Sequence, residues 1–359
     1  MLGLQTHFAE TAWRRWFLDR HVEFWRNELG IPARMQARIV EVIVETADTR
    51  TFVLRPGRRW PGHRAGQYIP VDVEIDGVRT RRCYSISSGA SARGAQRISI
   101  TIKRVPGGRV STWFHDHAQP GDTIDIGPPA GDFVVEESGD ELVTQAPRRL
   151  LFVAGGSGIT PVMAIVRDLE TSDMSHDVVL VHASRGDGDA IFGRELAALA
   201  TTEAGLRLVA HRDSVHGRLD AATLVRLVPD LARREVFVCG PPGLLDLVTE
   251  VAAASGVPVH HERFVASHRP PTNDNAAPVT IRLRQRNVVV AGTGPLLGEL
   301  EHAGERPPHG CRMGICNTCR CHKHTGTVED LLTGAVSSEP DQEIRLCVSI
   351  ARSDLELAL

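Results

Sequence analysis

Four cysteines near the C-terminus have the spacing of an iron–sulfur site. Cys311 and Cys316 are separated by four residues, Cys316 and Cys319 by two, and Cys347 follows within the apolar run 344–350. This C-x₄-C-x₂-C…C arrangement is typical of plant-type [2Fe–2S] clusters. Two irons take two thiolates each, so a tight loop supplies three ligands and a distant strand supplies the fourth. The four cysteines are therefore predicted to ligate a [2Fe–2S] cluster.

Other uses of these side chains are less favoured. A zinc ribbon usually has two C-x₂-C pairs, and this region has one. An odd total of seven cysteines without a secretory signal disfavours disulfides. Cys321 is predicted to be a bystander rather than an alternative ligand. His309, His322 and His324 would allow a Rieske-type site, but four well-spaced cysteines make it unnecessary, and we interpret the histidines as surface groups.

Length and charge exclude several classes. A chain of 359 residues should hold two or three domains. A formal charge of −3 indicates neither nucleic-acid binding nor a polybasic membrane anchor. No apolar run approaches the ~18–20 residues of a spanning helix, and the N-terminus does not resemble a signal peptide. We predict a cytoplasmic protein, with peripheral attachment to a membrane as the alternative.

Residues 1–34 are predicted to form an N-terminal helical extension. Three of the five tryptophans, Trp13, Trp16 and Trp25, lie there with spacing that fits one aromatic helix face, and Gly30 and Pro32 follow. This face either packs on the protein itself or docks to a partner or a membrane surface.

The remaining chain divides by pattern into three modules. Residues 35–147 alternate like short strands separated by turns, which predicts an antiparallel β-barrel. Residues 148–265 alternate strands with helices, which predicts an α/β domain with a parallel sheet. Residues 266–277 are rich in proline and asparagine and are predicted to form a linker. Residues 278–359 have the element order of a β-grasp domain around the cysteines.

Several motifs occur in the order found in one family. Arg82-x-Tyr84-Ser85-x-x-Ser88, the loop 155–161 and the Cys239-Gly240-Pro241-Pro242 loop resemble elements of the ferredoxin–NADP⁺ reductase superfamily. The resemblance implies that the barrel binds FAD, which we favour over FMN, that the α/β domain binds a pyridine nucleotide, and that the C-terminal module is a ferredoxin domain.

The resemblance also assigns flavin-site roles. Arg82 would hold the flavin pyrophosphate, Tyr84 would stack on the isoalloxazine, and Ser85 would lie near flavin N5. A glycine-rich turn that opens a helix would present backbone N–H groups to the pyrophosphate. The residues matched to that turn are Gly108, Val110 and Ser111. Ser111 could instead serve only as a helix N-cap.

The nucleotide would lie across two loops and one strand end. By resemblance, Cys239 approaches nicotinamide C4, and Glu262 and Phe264 form an element that approaches flavin and nicotinamide. Strand, glycine-rich turn and helix N-terminus form a phosphate cradle. The remaining nucleotide-loop residues are Gly155, Gly156, Gly158, Thr160, Pro161, Gly240 and Pro241. Ser184, Arg185 and Arg212 occupy positions that would read a 2′-phosphate, so we favour NADPH, with NADH as the alternative.

Chains of this domain order are one-component reductases that feed oxygenases or desaturases. The loop 310–316 is especially similar to that of reductases serving di-iron acyl desaturases, and this favours such a partner. The alternatives are the reductase of a Rieske or di-iron hydroxylase, and a redox-sensing flavo-iron–sulfur binding protein without turnover.

Overall fold

The computed structural model describes residues 35–90, 96–136, 148–171, 176–202, 205–264, 278–284, 286–314 and 317–359. The predicted N-terminal helix at 1–34, the predicted linker at 266–277 and the predicted ligand Cys316 lie outside the described residues.

The first module is an antiparallel barrel. Its elements are β1 (Met35–Thr46), β2 (Thr49–Pro56), β3 (Tyr68–Ile75), β4 (Val78–Ser85), β5 (Ile98–Lys103), α1 (Arg109–Asp116) and β6 (Thr123–Ile126). The strands pair antiparallel in the order β4-β3-β6-β1-β2-β5. A bridge between Ile86 and Ile100 joins the two edge strands. Phe52, Trp60 and Phe114 fill the interior, and the predicted barrel is confirmed.

Buried hydroxyl groups hold the segment that follows β4. The Ser87 hydroxyl lies 2.9 Å from those of both Ser99 and Thr101, and Thr101 lies 2.8 Å from the Thr51 hydroxyl. A buried hydroxyl without a partner is costly, so this chain of mutual bonds favours one arrangement of the strands. These hydroxyl contacts hold the end of β4, the strand that carries the predicted flavin residues.

The second module is a parallel sheet covered on both faces. Its strands are β7 (Arg148–Gly155), β8 (His176–Ser184), β9 (Leu206–Arg212), β10 (Glu235–Cys239) and β11 (Val259–Glu262). Its helices are α2 (Ile159–Thr171), α3 (Gly193–Thr202), α4 (Asp213–His216), α5 (Ala221–Leu227) and α6 (Pro242–Ala254). All pairs are parallel, in the order β11-β10-β7-β8-β9. Alternate residues of β7 enter separate apolar clusters on the two faces, which confirms the predicted α/β sheet.

The third module surrounds the cysteine loop. Its elements are β12 (Val279–Leu283), β13 (Arg286–Val290), α7 (Leu296–His302), β14 (Arg320–Thr325), β15 (Val328–Asp330), β16 (Val336–Ser337), β17 (Gln342–Arg345), β18 (Ser349–Ala351) and β19 (Leu355–Leu357). One sheet has the order β13-β12-β19-β14-β17, and a smaller one has β16-β15-β18. Helix α7 packs Leu296, Leu297 and Leu300 into the shared core. The predicted β-grasp fold is confirmed.

None of the helices within the described ranges is both long and apolar enough to cross a lipid bilayer.

Candidate flavin, nucleotide and cluster sites

The end of β4 borders a cavity of about 360 Å³. Arg82, Tyr84 and Ser85 all line it, together with the turn that precedes α1. The rings of Tyr84 and Phe114 pack edge to face with their centroids 5.8 Å apart. This contact fixes the orientation of the Tyr84 ring. Burial raises the pKa of the Tyr84 phenol, so the side chain stays neutral. The cavity therefore offers a fixed, uncharged aromatic surface suited to stacking on a flat ring system.

The turn before α1 differs in one detail from the sequence prediction. Gly108, not Ser111, is the N-cap residue, because the helix begins at Arg109. The Ser111 hydroxyl instead donates to the Gly108 carbonyl oxygen at 3.3 Å and accepts from the Val105 N–H at 3.2 Å, closing the turn. The Val110 side chain is buried in the barrel core. The side chains of Val110 and Ser111 are thus engaged in the fold, which leaves the backbone groups of the turn to serve a phosphate, as the resemblance implies, with Arg109 also bordering the cavity.

Two glycine-containing loops of the parallel sheet pack against each other. A Cβ atom at Gly158 would lie 2.1 Å from the Cys239 carbonyl oxygen, and one at Gly240 would lie 3.1 Å from the Gly155 nitrogen. Neither clash could be relieved by rotating a side chain, because both involve backbone atoms. The glycines thus bring the ends of β7 and β10 together, as the resemblance implies for a nucleotide-binding crevice.

The crevice between these loops contains a second cavity, of about 540 Å³. It is bordered by Gly155 and Gly156 on one side and by Gly240 and Pro241 on the other. Phe264 borders both this cavity and the flavin cavity. The two binding spaces therefore meet at one aromatic side chain.

Thr160 and Pro161 lie in the first turn of α2. The Thr160 hydroxyl donates to the Ser157 carbonyl oxygen at 2.9 Å, and Thr160 borders the flavin cavity rather than the nucleotide cavity. Pro161 is buried within the helix start, where a missing N–H costs no hydrogen bond. Both residues hold the loop that separates the two spaces.

Ser85 borders the flavin cavity, whereas Glu262 and Cys239, which lie near it at the ends of β11 and β10, border neither cavity. Ser85 Oγ lies 3.5 Å from Glu262 Oε2, and Glu262 is the register partner of Cys239 on the neighbouring strand. Burial, with a smaller contribution from the Asp132 carboxylate, raises the pKa of Glu262 to about 8. Burial also raises the pKa of the Cys239 thiol. Burial therefore favours the neutral, protonated forms of Glu262 and Cys239.

Two of the three predicted 2′-phosphate residues border the nucleotide cavity. Ser184 and Arg185 border it, but Arg185 pairs closely with Asp189, and Arg212 pairs closely with Asp187. Arg212 lies in an adjacent groove instead of the cavity itself. Both guanidinium groups therefore have carboxylate partners: Arg185 pairs with a residue four positions later, and Arg212 pairs with a residue of the loop that follows β8.

Two cationic residues of the nucleotide cavity were missed by the sequence analysis. Lys103, at the end of β5, borders both cavities and pairs with Asp48 at 3.1 Å. Arg218 borders the nucleotide cavity from the loop that follows α4. The position of Lys103 directly before the glycine turn was a usable signal, whereas nothing in the sequence around Arg218 places it there.

Three of the predicted cluster ligands converge in the ferredoxin domain. Cys311, Cys319 and Cys347 are buried, and the Sγ atoms of Cys319 and Cys347 lie 3.2 Å apart. The N–H of Gly314 donates to Cys347 Sγ at 3.2 Å, and that of Met313 approaches Cys311 Sγ at 3.4 Å. Thiols gathered under backbone N–H groups form the donor set that an iron–sulfur cluster requires.

Backbone geometry shapes this loop. Gly314 has φ of +77°, and a Cβ there would lie 2.9 Å from the Val348 side chain. Only glycine adopts this conformation without strain in so little space. By contrast, Cys321 points into the ferredoxin core from β14, and burial raises its pKa to about 11. These positions support the predicted bystander role of Cys321.

The cluster loop docks directly on the flavin strand. Arg82 Nη1 donates to the Gly310 carbonyl oxygen at 3.3 Å, and Arg81 Nη1 donates to Thr318 Oγ1 at 3.3 Å. Two bonds of 2.8 Å to Asp72 hold the Arg81 guanidinium in place. Cys311 itself borders the flavin cavity. Among the described residues, the flavin space and the cluster loop are therefore adjacent.

Comparisons with known proteins agree with this arrangement. Family models match residues 36–135 as an oxidoreductase FAD-binding domain, 152–250 as an oxidoreductase NAD-binding domain and 279–352 as a 2Fe-2S iron-sulfur cluster binding domain. An NADPH oxidoreductase of Mycobacterium tuberculosis is 35% identical over 92% of this chain and 86% of its own length. The chain belongs to the ferredoxin–NADP⁺ reductase superfamily. It is an oxidoreductase with FAD, NAD(P)H and a [2Fe–2S] cluster as cofactors.

Other members of the superfamily match this chain over nearly its whole length. The glycine betaine monooxygenase reductase subunit of Pseudomonas aeruginosa is 32% identical over 92% of this chain and 95% of its own length. The structure of phthalate dioxygenase reductase matches 91% of this chain and 98% of its own, with a TM-score of 0.61 and 26% identity. This chain thus shares the three-domain order of phthalate dioxygenase reductase.

Proposed function

We propose that this reductase takes a hydride from NADPH and delivers single electrons to an oxygen-activating iron enzyme. The observation that carries the proposal is the shared wall of the flavin cavity, to which Tyr84 and Ser85 contribute from the barrel and Cys311 from the cluster loop. When bound, FAD accepts a hydride and releases electrons one at a time, and a [2Fe–2S] cluster carries one electron.

The side chains have separable roles in this proposal. Tyr84 provides the stacking surface, and backbone groups around Gly108 together with Arg82 bind the pyrophosphate. Ser85 and Glu262 hold a hydrogen-bonded proton beside the reacting ring, while Cys239 shapes the nicotinamide side of the crevice. Cys316 completes the ligand set of Cys311, Cys319 and Cys347.

The choice of NADPH rests on three features. Ser184 and Arg185 border the nucleotide cavity at the position where the superfamily reads the 2′-phosphate. Lys103, which pairs with Asp48, and Arg218 border the same space, together with Asp189 and Asp213. A relative named an NADPH oxidoreductase also covers almost the whole chain. Arginine and lysine are the residues that bind phosphate groups through charge-assisted hydrogen bonds.

Anaerobic titration tests the electron path and the donor. We expect both flavin and iron–sulfur absorption to bleach on addition of NADPH, with NADH less effective. Bleaching of the flavin alone would contradict internal transfer, and an equal or stronger response to NADH would contradict the assigned donor.

Two partner classes differ in their support. The loop 310–316 resembles that of reductases serving di-iron acyl desaturases, and this favours a desaturase. Relatives named as reductase components of glycine betaine monooxygenase and 3-ketosteroid-9-alpha-monooxygenase favour a monooxygenase instead. Coupled turnover with purified desaturases and monooxygenases of the same organism, measured as product formed per NADPH consumed, separates the two.

The aromatic pattern of residues 1–34 supports a docking role for that segment. Deleting it should leave reduction of cytochrome c unchanged and weaken turnover with the natural partner. An unchanged partner KM would contradict this role.

A further inference from the structure

Two histidines and an aspartate converge on the surface of the ferredoxin domain. His322 Nε2 lies 3.2 Å and His324 Nδ1 3.1 Å from the same oxygen, Asp341 Oδ1. The candidate ligand atoms of all three residues lie within 4.8 Å of one another. None of these residues belongs to the flavin, nucleotide or cluster sites described above.

The backbone fixes this arrangement. His322 and His324 are two residues apart on β14, so both side chains project from the outer face, while the intervening Lys323 is buried. The Lys323 ammonium donates to the Gly326 carbonyl oxygen at 2.8 Å, which anchors the strand. Asp341 adopts φ of +51°, and its N–H donates to the His324 carbonyl oxygen at 3.2 Å. The carboxylate is thus held over the histidine pair by main-chain contacts.

The spacing suits a metal ion. Bonds of about 2.0–2.1 Å in a tetrahedral site separate the ligand atoms by roughly 3.3 Å. The two nitrogen-to-oxygen distances are already close to that value, and only the imidazoles would need to approach each other. Two imidazole nitrogens and one carboxylate favour a first-row transition cation over Mg²⁺ or Ca²⁺, which prefer oxygen ligands.

We propose that His322, His324 and Asp341 bind a divalent transition cation such as Zn²⁺. The ion would replace the protons now shared between the imidazoles and the carboxylate, and three protein ligands would leave one position for water. Glu343, the register partner of His322 on β17, forms an ion pair of 2.7 Å with Arg320.

The location gives the ion a role in the cluster domain. Asp341 directly precedes β17, which pairs antiparallel with β14. One strand begins just after Cys319, and the other leads to Cys347. A bound ion would join the two strands that hold two neighbouring cluster thiolates. We therefore expect Zn²⁺ to slow the thermal loss of the cluster.

Calorimetric titration of the holo-protein with Zn²⁺ tests the site, using protein without a histidine tag. We expect one Zn²⁺ per chain, no comparable heat with Mg²⁺, and affinity at least about tenfold weaker in His322→Ala, His324→Ala and Asp341→Asn. His117→Ala, which removes an exposed barrel histidine, is the matched control and should bind normally. The iron–sulfur absorption of each variant checks that its cluster domain is folded.

X-ray absorption at the zinc edge adds a second readout. Imidazole and oxygen scattering without sulfur would support the assignment. Sulfur ligation would show that Zn²⁺ had entered the cysteine site instead and would overturn the proposal. Absence of Zn²⁺ binding, or equal affinity in all three variants and the wild type, would also overturn it.

Discussion

Replacing Glu262 with glutamine tests the electrostatics of the hydride site. The pKa of Glu262 rises from an ordinary 4.5 to about 8 because burial disfavours the ionised carboxylate, with a smaller contribution from Asp132; the contact with Ser85 acts in the opposite direction. Between these two values the folded state binds a proton that the unfolded state releases. Stability of the wild type should therefore fall as pH rises toward 8, and the loss is complete above that pH.

The magnitude follows from the shift. At 1.36 kcal/mol per pH unit, full ionisation of Glu262 costs the folded state up to roughly 5 kcal/mol. About 2.7 kcal/mol of that would develop between about pH 6 and about pH 8. These are upper limits, because the side chain is only half-buried and solvent stabilises its ionised form.

Urea denaturation of the wild type and Glu262→Gln across this pH range is the direct assay. The variant cannot ionise at this position, so its stability relative to the wild type should rise with pH. Glu250→Gln, on the exposed face of α6, is the control and should track the wild type. Flavin reduction by NADPH in stopped flow should slow above about pH 8 only in proteins that retain Glu262. Parallel stability curves for wild type and Glu262→Gln would refute a raised pKa.

Three further changes test the other sites. Cys316→Ser should abolish reduction of cytochrome c while anaerobic flavin reduction by NADPH survives, and loss of both activities in a folded variant would contradict the ligand assignment. Gly158→Ala should destabilise the protein by about 1–3 kcal/mol in thermal denaturation and weaken nucleotide binding, because the new Cβ meets the Cys239 carbonyl; normal binding would contradict the tight contact between the loops. Asp187→Asn should free the Arg212 guanidinium and lower the KM for NADPH relative to NADH by about tenfold, and an unchanged ratio of the two KM values would exclude Arg212 from 2′-phosphate recognition.

Local pattern was sufficient for the fold, and the motifs predicted several residues that border the two cavities. The predicted antiparallel barrel, the predicted parallel α/β sheet and the predicted β-grasp domain all appear in the structure. Their segments combine strong apolar periodicity with clear turn residues at both ends, so neighbouring sequence alone determines them.

Contacts between distant segments were not predictable. The bond from Arg82 to the Gly310 carbonyl depends on how two domains dock, and the pairing of Arg212 with Asp187 depends on loop placement. The alternative N-cap role of Ser111 was wrong, because the helix begins earlier and the hydroxyl closes the preceding turn. Residue type indicated the chemistry in each case, but partner choice was set by tertiary structure.

The contact between the flavin strand and the cluster loop limits how these modules can be recombined. Arg81 and Arg82 on β4 recognise Thr318 and the Gly310 carbonyl on the ferredoxin domain. A chimera that takes its ferredoxin domain from another reductase would keep the backbone carbonyl but not necessarily the hydroxyl at position 318. Efficient domain exchange within the superfamily should therefore require β4 and the cysteine loop to be transplanted as a single unit, even though about 230 residues separate them in the sequence.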